Sequence, residues 1–186
     1  MAKIAQHSHE SVEHYGPAWI VPMVLEVFGC PIDLDPASCP QANQVIGASR
    51  IWTRADDGLR RPWSGSVYLN PPGGRIPTET GSVNSAAFWW ATLAHRFALG
   101  HVPQAFFVVF NLELFRYAQG FQTLQPLDFP ICFPRDRVDF LKPSPDGPVP
   151  QGSPAHPSAL VYLGPNADRF QKVFSKIGKV FPCSES

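Results

Sequence analysis

Residues 104–110 read QAFFVVF, an apolar run with no polar alternation. A strand with one wet face alternates apolar and polar residues, so a run like this one needs cover on both faces. Helices packed on both sides of a sheet provide that cover. Gln104–Phe110 is therefore predicted to be a central strand of an α/β protein. Val67–Leu69 and Ser158–Leu163 read the same way, and shorter strands are expected at 32–35, 51–52 and 179–181. Ile131–Phe133 and Val138–Phe140 flank PRD and suggest two strands joined by a turn.

Between these runs the period changes to that of a helix. PAWIVPMVLEVF, from Pro17 to Phe28, has helical spacing and a stop at Gly29, with Pro22 as an alternative start. SAAFWWATLAHRFA carries a helical stripe that Gly100 ends, and further helices are expected over 111–119 and 167–177. Residues 75–84 read as loop. PSPDGPVPQGSPAHP, residues 143–157, has no periodicity and reads as an exposed Pro-rich loop. Strand and helix alternate and a strand-rich tail follows, which predicts a mostly parallel sheet with antiparallel strands near the C-terminal end.

The 186 residues suit a single domain, 1–186, with residues 1–14 expected to be mobile. Fifteen basic and fifteen acidic side chains cancel, so any binding to nucleic acid has to use local patches. No stretch approaches the ~20 apolar residues that span a bilayer, and MAKIAQHSHESVEH lacks a signal-peptide core. The expectation is a soluble cytoplasmic protein with no membrane partner. Cys30, Cys39, Cys132 and Cys183 form no CxxC pair and read as reduced structural thiols. His7, His9 and His14 read as ordinary terminal histidines, so no metal site is expected.

In open α/β sheets ligands bind outside the carboxyl ends of the strands. Two abrupt strand ends, IDLDPAS and VYLNPPGG, belong at that edge. Asn70-Pro71-Pro72 offers a side-chain carbonyl and a backbone carbonyl that no local amide claims, because proline has no N–H. Two rigid acceptors suit a group with two N–H donors, such as the exocyclic amine of a nucleobase. A proline-terminated strand with Asn70 capping a turn is the plainer alternative. Asp33 and Asp35 are expected on opposite sides of their strand, with Asp35 at the end where a cationic or hydroxyl-bearing ligand would sit; a simple aspartate turn is the alternative. Asp56-Asp57-Gly58 by itself is an ordinary turn signal.

Taken together, IDLDPASCPQAN, WTRADDGLRRPWSG and VYLNPPGG resemble the phage and prophage DNA N-6-adenine-methyltransferase family. The likeness begins at EHYGPAWIV and extends weakly through CFPRDRVDF, with its specific part between Ile32 and Pro72. It implies the Rossmann-like fold of S-adenosylmethionine-dependent methyltransferases, whose final strands form an antiparallel hairpin. It implies methyl transfer from S-adenosylmethionine to the N6 amine of adenine in DNA, in a phage-encoded enzyme working in a bacterial cytoplasm. Asn70, Pro71 and Pro72 match the catalytic motif. Asp35 and Pro36 match the first cofactor motif, Asp57 the acidic residue of the cofactor or base site, and Tyr15 and Pro17 the N-terminal cofactor contact.

The chain departs from the family pattern at two glycines. Gly73 replaces an aromatic that stacks on the flipped base, and Gly16 stands where the family has threonine. Phe88, Trp89 or Trp90 of the following helix is a candidate to supply the missing ring, with Trp89 assigned to the base together with Gly73. Arg75, Arg135 and Arg137 are the expected nucleic-acid contacts. Cytosine N4, which offers the same two-donor amine, is an alternative target. A catalytically silent module that binds nucleic acid or a protein is an alternative function.

Overall fold

The structure is a computed structural model and describes residues 16–78, 81–110, 112–142, 144, 149–150 and 157–183. In chain order the elements are α1 (Ile20–Phe28), β1 (Leu34–Asp35), α2 (Pro40–Ile46), β2 (Arg50–Ile51), β3 (Ser66–Leu69), β4 (Arg75–Thr78), β5 (Gly81–Asn84), α3 (Ser85–Ala98), β6 (Gln104–Val109), α4 (Glu113–Ala118), β7 (Ile131–Pro134), β8 (Leu141–Lys142), β9 (Val149–Pro150), β10 (Ala159–Leu163), α5 (Ala167–Phe174) and β11 (Gly178–Phe181). Seven strands form one sheet in the order β11-β7-β10-β6-β3-β1-β2.

The sheet divides into a parallel half and an antiparallel half. The ladders β1–β2, β1–β3 and β3–β6 are parallel, whereas β10 runs antiparallel to both β6 and β7, and β11 antiparallel to β7. Only β10 and β11 therefore oppose the other five strands. The sequence-based expectation of a mostly parallel sheet holds for strand direction, while its ladders are evenly split.

The unbroken apolar run of β6 is explained by the two cores. Phe106 and Val108 face a layer containing Ile20, Val24, Phe170 and Phe174 of α1 and α5. Ala105, Phe107 and Val109 face Trp90, Leu93 and Leu114 of α3 and α4 on the other side. Because side chains alternate along a strand, a sheet covered on both faces requires apolar residues at every position. Tyr68 with Phe106, and Trp90 with Phe107, carry this packing through ring contacts at 6.0 and 5.3 Å.

Several local expectations are corrected. Residues 75–84 are not loop throughout: β4 and β5 pair as an antiparallel hairpin with Ile76 opposite Val83. Val138–Phe140 is not a strand paired with Ile131–Phe133. Val138 and Phe140 are buried in the α1/α5 core, and the pairing falls later, between β8 and β9. The exposed loop expected over Pro143–Pro157 contributes Val149–Pro150 to that ladder; residues 143, 145–148 and 151–156 lie outside the described residues. Helix α2 was not anticipated.

Strand alternation does not separate Asp33 from Asp35, since residues two apart on a strand share a face, but the two carboxyls make different contacts. Asp33 precedes β1, and its Oδ2 accepts the Ser66 amide at 2.8 Å. Asp35 ends β1 and turns into the interior with 3% exposure.

Candidate active site

From β1 the chain passes through α2 to β2 on one side, then returns across β1 to β3 on the other. The connections leaving the carboxyl ends of β1 and β3 thus diverge, and such a reversal leaves a crevice. A cleft of about 600 Å³ lies there, lined by Asp35 to Pro40, Trp52 to Ala55, Asp57, Tyr68, Asn70 to Gly73, Arg75, Trp89 and Phe110, with Gly16 at its N-terminal side. That volume falls within the usual range for small-ligand sites, ~300–1,000 Å³.

Three segments distant in sequence converge on the cleft. The first is the β1 end. Burial pushes the Asp35 carboxyl up to about 7, opposed by the Ala37 amide, which donates to Oδ1 at 3.2 Å, and by the nearby Ser38 hydroxyl, which lies outside good hydrogen-bond geometry. A buried acid of this kind is close to half ionised at neutral pH and would be held ionised by a cation placed beside it. The neighbouring Tyr68 hydroxyl is also buried, has no hydrogen-bond partner among the described residues, and is raised by burial and then by the Asp35 charge.

The second segment, residues 53–60, closes over the first. A Cβ on Gly58 would lie 1.9 Å from the Pro36 carbonyl oxygen, so only glycine permits this approach. The Gly58 carbonyl is fixed by the Trp63 indole N–H at 2.8 Å. Asp57 adopts φ +55°, the left-handed region, and pairs with Arg60 at 3.2 Å. Asp56 accepts both the amide and the hydroxyl of Thr53 at 2.9 and 2.6 Å, and the hydroxyl contact leads in holding its carboxyl low. Of the two aspartates, Asp56 makes the turn and Asp57 lines the cleft.

The third segment follows β3. Asn70 is half-buried, Pro71 buried and Pro72 exposed, all at the cleft wall. The hairpin β4–β5 then rises beside it. Arg75 donates to the Ser82 hydroxyl at 2.7 Å and the Tyr117 hydroxyl at 3.2 Å, and its guanidinium lies 5.8 Å from the Tyr117 ring centre. Across the cleft, Arg50 and Arg61 approach the Trp52 ring at 5.5 and 5.7 Å, and Arg54 is exposed at the rim.

Asp35, Pro36, Asp57, Asn70, Pro71, Pro72, Gly73, Arg75 and Trp89 are thus brought together. Trp89 reaches the cleft, although its ring is stacked on Trp63 at 5.9 Å and it is buried. Trp90 is fully buried and Phe88 does not line the cleft. Pro17 is buried just ahead of α1 and outside the lining; Tyr15 and the three N-terminal histidines lie outside the described residues. Arg135 and Arg137 are exposed where β7 ends, on the same sheet edge but not in the cleft.

Sequence reasoning missed Tyr68, Trp52, Arg54 and Phe110. For Tyr68 a signal existed, because a residue two before Asn70 on one strand shares its face. Gly16 belongs with it: a Cβ there would lie 2.2 Å from the Tyr68 hydroxyl, so the tyrosine occupies the space of a residue-16 side chain.

Among the described residues the cysteines form no disulfide: Cys30 and Cys183 are exposed, Cys39 is half-buried, and Cys132 is buried with its thiol pushed up to about 12 by burial. Among the described residues no group of His, Cys, Asp and Glu could hold a metal ion, and no helix is long and apolar enough to cross a membrane. No family model, curated protein or solved structure matches the chain.

Proposed function

We propose that the protein transfers a methyl group from S-adenosylmethionine to the N6 amine of adenine in DNA. The observation that carries the reading is convergence: Asp35, Asp57 and Asn70-Pro71 come from three separate segments and meet in one cleft at the reversal of strand order. A turn-forming role for each motif would not require them to share a cavity.

The cleft suits a cationic cofactor because Asp35 is a buried carboxyl with no basic partner in hydrogen-bond or ion-pair contact among the described residues. S-adenosylmethionine supplies an electrophilic methyl group on a sulfonium. Asp35 would accept from the ammonium group of its amino acid end, and the fixed turn at Gly58 would hold the opposite wall. The carbonyls of the Asn70 side chain and Pro71 would accept hydrogen bonds from the two N–H groups of the target amine and aim its lone pair at the methyl carbon, whose bond to sulfur breaks as the N–C bond forms, with the thioether S-adenosylhomocysteine as leaving group. That contribution is orientation and electrostatics, with no covalent intermediate on the protein. The proton shed by the amine leaves to water.

A base inside a duplex cannot reach such a cleft, so it enters flipped or from a single strand. Two features of the same sheet edge favour DNA as the substrate. The β4–β5 hairpin stands on one side of the cleft, and on the other Arg54 is exposed at the rim while Arg50 and Arg61 flank Trp52.

The test is incubation with labelled S-adenosylmethionine and DNA of mixed sequence, followed by mass spectrometry of the nucleosides. N6-methyladenine is the expected product, and N4-methylcytosine would reassign the target. Absence of saturable cofactor binding by calorimetry would reject the enzyme and favour a silent binding module.

A further inference from the structure

Gly73 follows the proposed amine-binding pair directly, and the structure identifies what borders it. A Cβ built on Gly73 would sit 3.5 Å from Cε2 and 3.7 Å from Cζ of Phe110, in ordinary van der Waals contact. The Gly73 φ lies outside the left-handed region, so the backbone does not demand glycine. The space beside Asn70-Pro71-Pro72 is bounded by an aromatic ring from the neighbouring strand.

That ring is well placed to receive a flat ligand. Phe110 follows β6, which pairs directly with β3, and it lines the cleft while remaining half-buried. One side packs on the α1/α5 core, where Phe140 meets it at 6.4 Å with the ring planes at 88°. A perpendicular contact of this kind holds the Phe110 ring from the core side. The other tryptophans of the cleft are already engaged, Trp89 with Trp63 and Trp52 with two guanidinium groups.

A base whose amine is held by Asn70 and Pro71 needs a wall for its π-face, since two hydrogen bonds at one end leave the ring free to swing. We propose that Phe110 supplies that wall, so that the ring absent from position 73 is contributed by the end of β6. Phe110 is then a base-contact residue that sets the preference for a planar substrate. This inference rests on the methyl-transfer reading.

The test compares the wild-type protein with Phe110→Leu, Phe110→Tyr and the double variant Phe110→Leu/Gly73→Tyr. Each is assayed for S-adenosylmethionine affinity by calorimetry and for methyl incorporation into mixed-sequence DNA. Leucine keeps apolar bulk but removes the ring, and aromatic stacking on a base corresponds to roughly 10-fold or more in affinity. Phe110→Leu should raise KM for DNA by about that factor with cofactor affinity unchanged, and Phe110→Tyr should behave like wild type. Returning a ring at position 73 should recover most of the loss. An unaltered KM in folded Phe110→Leu, a parallel loss of cofactor affinity, or no recovery in the double variant would each overturn the assignment. A wild-type protein that neither binds cofactor nor transfers methyl would instead fail in its own arm, removing the functional reading and this inference with it.

Discussion

Replacing Asp35 with asparagine should make the protein more stable at neutral and alkaline pH while weakening its hold on the cofactor. Asp35 is 3% exposed, and burial raises its carboxyl from an ordinary 3.8 to about 7. Between those values the folded protein retains a proton that the unfolded chain has released. The sign follows: stability is fullest below about pH 4 and falls as pH rises through about 7. At 1.36 kcal/mol per pH unit, the interval from 3.8 to about 7 corresponds to a loss of roughly 4 kcal/mol, a large part of a typical domain's stability.

Asparagine keeps the shape and an acceptor for the Ala37 amide but cannot ionise. Urea unfolding of both proteins at about pH 5 and about pH 8 reads the effect directly. The advantage of Asp35→Asn should grow by roughly 2–3 kcal/mol over that span, the part of the titration lying between pH 5 and 7. Wild-type affinity for S-adenosylmethionine should rise with pH up to about 7, because the cation binds the ionised carboxyl, and calorimetric heats should depend on the buffer as a proton is released. Parallel stability curves for the two proteins would refute the burial argument. Undiminished cofactor affinity in Asp35→Asn would refute the assigned role even if the stability result holds.

The remaining predictions touch the other walls. Asn70→Ala should lower kcat and kcat/KM together, by about 10²–10³ if its carbonyl acts mainly in the transition state, with cofactor affinity measured by calorimetry unchanged. Gly58→Ala should destabilise the fold by about 1–3 kcal/mol in urea melts and weaken cofactor binding, because its Cβ would meet the Pro36 carbonyl at 1.9 Å. Arg54→Ala should weaken DNA binding similarly across sequences and reduce the slope of log affinity against log salt by about 1, as read by fluorescence anisotropy at several salt concentrations.

The parts of the fold legible in the sequence were those whose burial is complete. Strands β3, β6 and β10 are covered on both faces and helix α3 buries a continuous stripe, so each leaves a long unbroken signal. Helix α2 left almost none, because only Ala42 and Ile46 of PQANQVI are buried. Its ends were marked, however, by Pro40 in the first turn and by Gly47 in the left-handed conformation after the last residue, the usual asymmetry of helix ends. Its N-cap is the Cys39 thiol, accepting the Ala42 amide at 3.5 Å, where serine, threonine, aspartate or asparagine would have announced a helix. The β4–β5 hairpin was hidden by Pro77 within a strand, which is tolerated because a two-stranded ribbon consists only of edges. Val138 and Phe140 misled for the opposite reason: buried side chains imitated a strand in a segment that anchors to the core without pairing.

The candidate site shows a further limit of reading along a chain. Read along the chain, Gly16 and Gly73 place no side chain beside the segments they adjoin. In space neither leaves a void, because the Tyr68 hydroxyl lies 2.2 Å from where a residue-16 Cβ would begin and the Phe110 ring 3.5 Å from where a residue-73 Cβ would begin. Tyr68 lies on β3 and Phe110 directly follows β6, and both strands are packed on both faces. Side chains on such strands are positioned more firmly than side chains on the loops that carry the glycines. The two distances have a direct consequence: restoring a side chain at position 16 without shortening residue 68 should fail by collision, whereas position 73, in ordinary contact range, should accept one.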